Sequence, residues 1–415
     1  MNFIETAWAN QLNKLARYLF VFFAFCIPIS LALENTSFAL TLLFALLSGL
    51  WWHYRAKIFI NPLALGLLAL FVLFIVGLEY SQASIVWRFT ILKKESEIIA
   101  ILFLLPVIAL QKEFLLTVIK SYVIGCIVVA VIACLGQFDL LPKIKWLQHP
   151  APYYAFFKIY AALFMALGAY LAVSLTKLHW HKASKWLWLV VFLLISYNVL
   201  WQSLSRTGYF IYFGLMLIFF LQYFSYKGKI IGIVVLLLAS VGMLFLSHNL
   251  RQGLHRVVDN GQLALQGQVK TSTGVRYEYM RNSFELWKQK PILGHGTGGY
   301  RAADVAIQGI TASGAVTSTA HAQVTPENTY YRILVEHGLI GFLVLVLLWV
   351  WQLLTAFKMK DPIFRRIAVV FMLVMIFASF SQDLLLDESP RLFYILFSVL
   401  LYAPTIMRKG ALRAE

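Results

Sequence analysis

Arginines at 206 and 276, a glutamate at 327 and a histidine at 337 are the side chains of this 415-residue chain best suited to chemistry. A guanidinium offers fixed donors and keeps its charge, so Arg206 and Arg276 could grip a phosphate-bearing group. A carboxylate or an imidazole could take the proton of an attacking hydroxyl. Arg206 stands in SLSRTG (203–208), between two strongly apolar runs, where an arginine needs an anionic partner. That partner is either Asp383 or Asp387, in a structural pair, or a bound phosphate. Arg276 sits in the first turn of a helix expected from about Gly274 to Pro291, where free backbone N–H groups and the helix dipole already favour an anion. A solvated loop charge is its plain alternative. Along that helix Val275, Tyr279, Phe284 and Leu286 or Trp287 recur at helical spacing, and Arg281 with Glu285 is expected as an i,i+4 pair.

Glu327 follows Pro326 at the start of an apolar run, where its carboxylate either serves the helix dipole or acts as a base. Asn328 and Arg332, one turn apart on one face, could support it. His337 comes ten residues after Glu327, about 15 Å along a continuous helix and about 80° around it, so the two cannot both act at one reacting atom. Beside Gly338 and Gly341, His337 reads better as a packing residue at a close helix contact. His321 is a third candidate base. The run GHGTGGY (294–300) lacks the Lys-Ser/Thr ending of a phosphate loop, and is expected to be a tight turn returning the chain toward the membrane. Residues 301–325 are small and polar, which suits a flap.

The elements that must position these groups follow from composition. Hydrophobic residues make up 61% of the chain and charged residues 13%, against about 25% charged in a soluble domain. This is the composition of an all-α polytopic membrane protein, in which every spanning segment must be a helix. About twelve spans are expected, the first four at 15–33, 36–52, 61–78 and 96–111. One long, partly helical polar loop at 248–328 separates the helices of 1–247 from those of 329–415. The first apolar run is long enough to span and shows no clear cleavage site, so no removable signal peptide is expected.

The formal charge is +17, from 35 Lys and Arg against 18 Asp and Glu. Short basic connections (53–57, 111–112, 176–185, 226–229, 358–366 and 407–413) alternate with less basic ones. The positive-inside rule then puts both termini in the cytoplasm and the long loop outside. Arg88, beside Lys93 and Lys94, belongs either to a snorkelling hairpin or to an outer basic patch facing anionic head groups. Cys26, Cys126 and Cys134 fall inside apolar runs and read as packing residues. The loop carboxylates are not paired at ligand spacing, so neither a metal nor another cofactor is expected. No basic soluble module exists to bind nucleic acid.

Three local signatures in this order give the chain a resemblance to the O-antigen ligase and polymerase superfamily of bacterial envelope glycan assembly. They are SLSRTG (203–208), the glycine-, arginine- and tryptophan-bearing stretch 274–300, and Asn328 followed by Gly338 and Gly341. With the long loop before the last three spans, the resemblance covers the whole chain. It implies a multi-pass protein of the bacterial inner membrane whose loop is periplasmic. Its donor would be an undecaprenyl-diphosphate-linked O-antigen and its acceptor lipid A–core, amid membrane lipids. It also implies that the arginines at 206 and 276 hold the diphosphate. The family places a histidine, proposed as the base, where this chain has Glu327. The base therefore falls to Glu327 by position, or to His337 or His321 in another geometry.

The residues fit that chemistry. A polyprenyl diphosphate leaves readily when arginines stabilise its developing charge. A base must then take the acceptor hydroxyl's proton as it attacks, and direct displacement inverts the anomeric centre. A polymerase or a protein-glycan ligase of the same superfamily uses the same groups. A lipid-linked glycan flippase would instead show mid-membrane charges and an internal repeat, and no repeat is evident.

Overall fold

The computed structural model describes residues 7–108, 112–137, 140, 158–203, 205–246, 272–304 and 325–408. His321 and most of the stretch 301–325 lie outside the described residues, as does the first part of the long loop. Among the described residues there is no strand. The helices are α1 (Ala7–Cys26), α2 (Leu31–Leu47), α3 (Leu50–Phe59), α4 (Pro62–Tyr80), α5 (Ile85–Ser96), α6 (Ala100–Ile108), α7 (Lys112–Gln137), α8 (Lys158–Leu178), α9 (Ser184–Tyr197), α10 (Arg206–Tyr223), α11 (Tyr226–Leu246), α12 (Ser272–Gln289), α13 (Thr329–Phe357), α14 (Pro362–Ala378) and α15 (Glu388–Arg408).

Five helical stretches of the described residues are long and apolar enough to cross a bilayer: Pro62–Tyr80, Glu113–Gln137, Tyr160–Leu178, Ser184–Gln202 and Thr329–Phe357. A sixth counts if α2 and α3, bent by 93°, form one span. Twelve spans are not confirmed among the described residues, and some expected segments have other bounds. The second expected segment breaks at Gly49, which takes φ 69°. The fourth opens with a 3-10 turn at Glu97–Ile99, which leads into α6. The polar run 34–37, expected as a connection, lies inside α2. Its side chains bond back to helix carbonyls, Asn35 to Leu31 O at 2.8 Å, Thr36 to Ala32 O at 2.8 Å and Ser37 to Leu33 O at 2.6 Å. The turn comes earlier, after Cys26, around Pro28.

Where the sequence supplies caps, the ends are sharp. Asn61 accepts from Leu63 N with Pro62 in the first turn, and Asp361 does the same for Ile363 with Pro362. α8 and α15 are hydrophobic nearly all round and form the centre of the bundle, with Ala161–Ala172 and Leu392–Ala403 almost wholly enclosed. α9 and α11 instead expose large apolar side chains such as Leu187, Val190, Ile231 and Leu238, the surface that a lipid environment accepts.

Contacts between distant segments sort the connections into two ends of the bundle. Arg17 Nε donates to Val107 O at 2.8 Å, and Arg366 lies 4.1 Å from the Tyr223 ring centroid. Val107 stands just before the basic connection 111–112, and Arg366 lies in the basic connection 358–366. At the other end Ser389 donates to Glu34 at 2.9 Å and Arg391 pairs with Glu97 at 2.7 Å. Gly208 of α10 packs against Ala162 of α8, while Tyr170 of α8 donates to Gln222 of α10 at 2.6 Å. α8 and α10 are therefore parallel, and Arg206 stands at the same end as Tyr160.

Candidate functional site

The site is built where α13 begins. Asn328 caps this helix: its Oδ1 accepts from Tyr331 N at 3.0 Å and its Nδ2 donates to Phe380 O at 2.9 Å. Thr329 N donates to Ser379 O at 3.0 Å, and Thr329 Oγ1 accepts from Leu384 N at 3.0 Å. The turn after α14 is thereby fastened to the start of α13. Glu327 precedes the cap rather than providing it, so the expected dipole role passes to Asn328. Its backbone has φ 49°, the single positive value among the described non-glycine residues. Such a conformation costs about 1–3 kcal/mol and is kept only where surrounding contacts impose it. Here Thr325 Oγ1 accepts from Glu327 N at 3.2 Å and donates to Asp383 Oδ2 at 3.1 Å.

The Glu327 carboxylate faces outward and meets Arg276 of α12. Arg276 Nη2 lies 3.1 Å and Nε 3.3 Å from Glu327 Oε2, with the side chains 38% and 45% exposed. Two groups that the sequence singled out separately thus meet, 51 residues apart in the chain. Glu327 is also close enough to Tyr160 to act on it electrostatically. Arg206 begins α10 at this same end, behind an N-cap in which Ser205 Oγ accepts from Gly208 N at 3.1 Å. Of the two aspartates considered as its partner, Asp383 pairs with Arg332, and Asp387 accepts from Tyr160.

The remaining candidates are placed differently. Arg88 spends two donors on its own corner, Nε to Ala83 O at 2.7 Å and Nη1 to Leu78 O at 2.8 Å, closing the end of α4 onto α5. Arg281 is exposed, and the expected pair with Glu285 is replaced by one between Glu285 and Lys288 at 3.1 Å. The buried face of α12 is Tyr279, Asn282, Ser283 and Leu286, while Phe284 points out. Arg332 is wholly buried and turned inward. Its Nη1 contacts Glu95 and lies 3.0 Å from Glu336 Oε2, and its Nε lies 2.5 Å from Asp383 Oδ2. His337 is 1% exposed and packs on the Phe74 ring at 5.0 Å. It is enclosed, while Glu327 is open.

The glycine run is the turn the sequence led one to expect, and it does more than return the chain. α13 breaks at Gly338, with φ 60° and ψ −159°. The break frees backbone groups that lipid could not satisfy, and the 291–297 segment satisfies them. His295 N donates to Val335 O at 2.8 Å and Gly296 N to Glu336 O at 2.7 Å, while Leu339 N donates to Pro291 O at 2.9 Å. Thr297 N then reaches Gly77 O at 3.1 Å, anchoring the turn to α4. Gly294 and Gly338 need positive φ, and a Cβ on either would strike opposing backbone.

Sequence reasoning named Asp383 and Asp387 only as possible partners of Arg206, and did not find Glu336, Tyr160 or Thr325 as parts of this region. The i,i+4 spacing of Arg332 and Glu336 was the one available signal. Asp387 is half-buried, and burial beside Asp383 pushes its carboxyl up to about 6. Glu95, Glu336 and His337 bring three potential metal-ligand atoms within 4.8 Å of one another, outside the loop whose carboxylates were considered for that role.

Compared with known families, residues 189–346 match the family model described as O-antigen ligase. The matched stretch holds Arg206, Arg276, Glu327, Asn328, Arg332, His337, Gly338 and Gly341, and it supports the resemblance to the O-antigen ligase and polymerase superfamily. No curated protein matches the chain.

Proposed function

We propose that this chain, which carries the O-antigen ligase family match over residues 189–346, is an O-antigen ligase. It is read as moving glycan from undecaprenyl diphosphate to a sugar hydroxyl of lipid A–core, at the periplasmic face of the inner membrane. The observation that carries this reading is the open Arg276–Glu327 pair, held at strained backbone on the end of the bundle where Arg206 also stands.

The pair suits a resting state that substrate can open. An exposed ion pair contributes at most about 1 kcal/mol, so a diphosphate with two formal charges can draw Arg276 away. Losing that neighbour frees Glu327 to accept a proton from the acceptor hydroxyl as it attacks the anomeric carbon. Arg276 and Arg206 hold the departing diphosphate and spread its growing charge. The bond to the diphosphate oxygen breaks as the new glycosidic bond forms, with inversion at the anomeric carbon. No metal is assigned to the reacting atoms, since the arginines take that part.

The test is transfer by purified protein in detergent, with lipid-linked donor and lipid A–core. Polysaccharide on the core supports the ligase reading. Chain growth on the lipid-linked donor without capping of the core would make it a polymerase instead.

A further inference from the structure

We propose that Glu95, Glu336 and His337 form a buried site for one divalent transition-metal ion, zinc or manganese, which ties α5 to the break in α13. The site is separate from the open Arg276–Glu327 pair.

Charge comes first. Arg332 touches Glu95, Glu336 and Asp383, and all four side chains are at most 2% exposed. One guanidinium faces three carboxylates in an enclosed place, where uncompensated charge is expensive. A dication restores the balance.

Unused donor atoms are the second, independent observation. His337 is buried, and both its ring nitrogens lack a hydrogen-bond partner among the described residues, as does Glu95 Oε2. A buried imidazole normally fills at least one of these positions. These side chains also come together: one ligand atom from each of Glu95, Glu336 and His337 lies within 4.8 Å of the others, although the Glu336 oxygens already accept from Tyr300 N and Arg332. Arg332 Nη2 is also without a partner. It borders the cluster as a fixed charge and is not a ligand.

The donor set then narrows the ion. Two carboxylates and an imidazole suit zinc or manganese better than magnesium or calcium, which prefer all-oxygen sites. The ligands come from two places that must be held together. Glu95 ends α5, whereas Glu336 and His337 immediately precede Gly338, where α13 loses its own hydrogen bonds. An ion there would brace the break beside the glycine turn, whose Tyr300 N donates to Glu336 Oε1 at 3.3 Å.

Full-length protein is purified without chelators from cells supplied with Zn2+ and Mn2+, and its metal content is measured by mass spectrometry. One ion per chain is expected. Glu95→Gln and His337→Gln should each reduce occupancy by at least about tenfold, since losing a direct ligand should cost no less than losing an outer-shell partner. Metal-free wild-type protein overturns the proposal, as does a bound ion that both variants retain. Where a variant fails to insert, wild-type protein loaded with Co2+ decides. Absorption bands of a nitrogen- and oxygen-bound cobalt ion support the site, and their absence overturns it. Each readout is independent of glycan transfer.

Discussion

Arg276 Nη2 lies 3.1 Å from Glu327 Oε2, and this contact joins the first turns of α12 to the residue before the cap of α13. Both side chains are open to solvent, while the ionic network around Arg332, one helical turn away, is closed. The two clusters are linked through Thr325 and Asp383. Substitutions should separate them.

Arg276→Ala removes an exposed pair and should cost at most about 1 kcal/mol of stability. Transfer should nevertheless fall by at least about a hundredfold, the scale set by losing one group that stabilises transition-state charge. Arg206→Ala should behave alike. Transfer rates on inserted protein, beside thermal unfolding in detergent, check both, and retained activity removes that arginine from the diphosphate site.

Glu327 sits at φ 49°, so glycine suits its backbone better than glutamate does. Glu327→Gly should keep or raise the unfolding temperature while abolishing transfer. Glu327→Gln should abolish transfer with stability unchanged. Activity surviving in Glu327→Gln would move the base elsewhere.

Arg332→Ala strands three buried carboxylates and should destabilise the fold by about 3–5 kcal/mol. Loss of inserted protein, or a large drop in unfolding temperature, is the expected readout. An effect confined to transfer, with stability intact, would mean that Arg332 acts on substrate.

Gly338→Ala puts a Cβ against the Ile292 backbone at a positive φ. Backbone strain alone costs about 1–3 kcal/mol, and the clash adds to it. Thermal unfolding should show the loss.

Burial pushes Asp387 up to about 6, and Tyr160 donates to its carboxyl group. The folded protein therefore holds this proton more tightly than the unfolded chain does. The contribution is fully present at low pH and is lost as pH rises through about 6. Asp387→Asn, which cannot ionise, should flatten the pH dependence of the unfolding temperature across that window. An unchanged slope would exclude Asp387 as its source.

Much of this arrangement was legible in the chain, and the legible part is local. Long apolar runs require helices because lipid cannot satisfy a backbone. Pro62 after Asn61, and Pro362 after Asp361, mark where helices begin. The glycines of 294–298 mark a turn, and the periodicity from Gly274 marks the helix that carries Arg276. Each inference uses neighbours within a few residues, where geometry follows from bond and helix periodicity. Choice of ionic partner has no such rule. Glu95 and Arg332 are 237 residues apart, and Arg332 and Asp383 are 51 apart, so only packing of separate helices could match them. For the same reason Arg88 closes a corner, Arg281 is left exposed beside a Glu285–Lys288 pair, and Glu34 sits inside α2 against Ser389. Helix by helix, the amino-acid order dictates what each segment becomes. Which charges meet, which are enclosed and which stay open to a substrate is decided when the helices pack, because burial is a property of the assembled bundle.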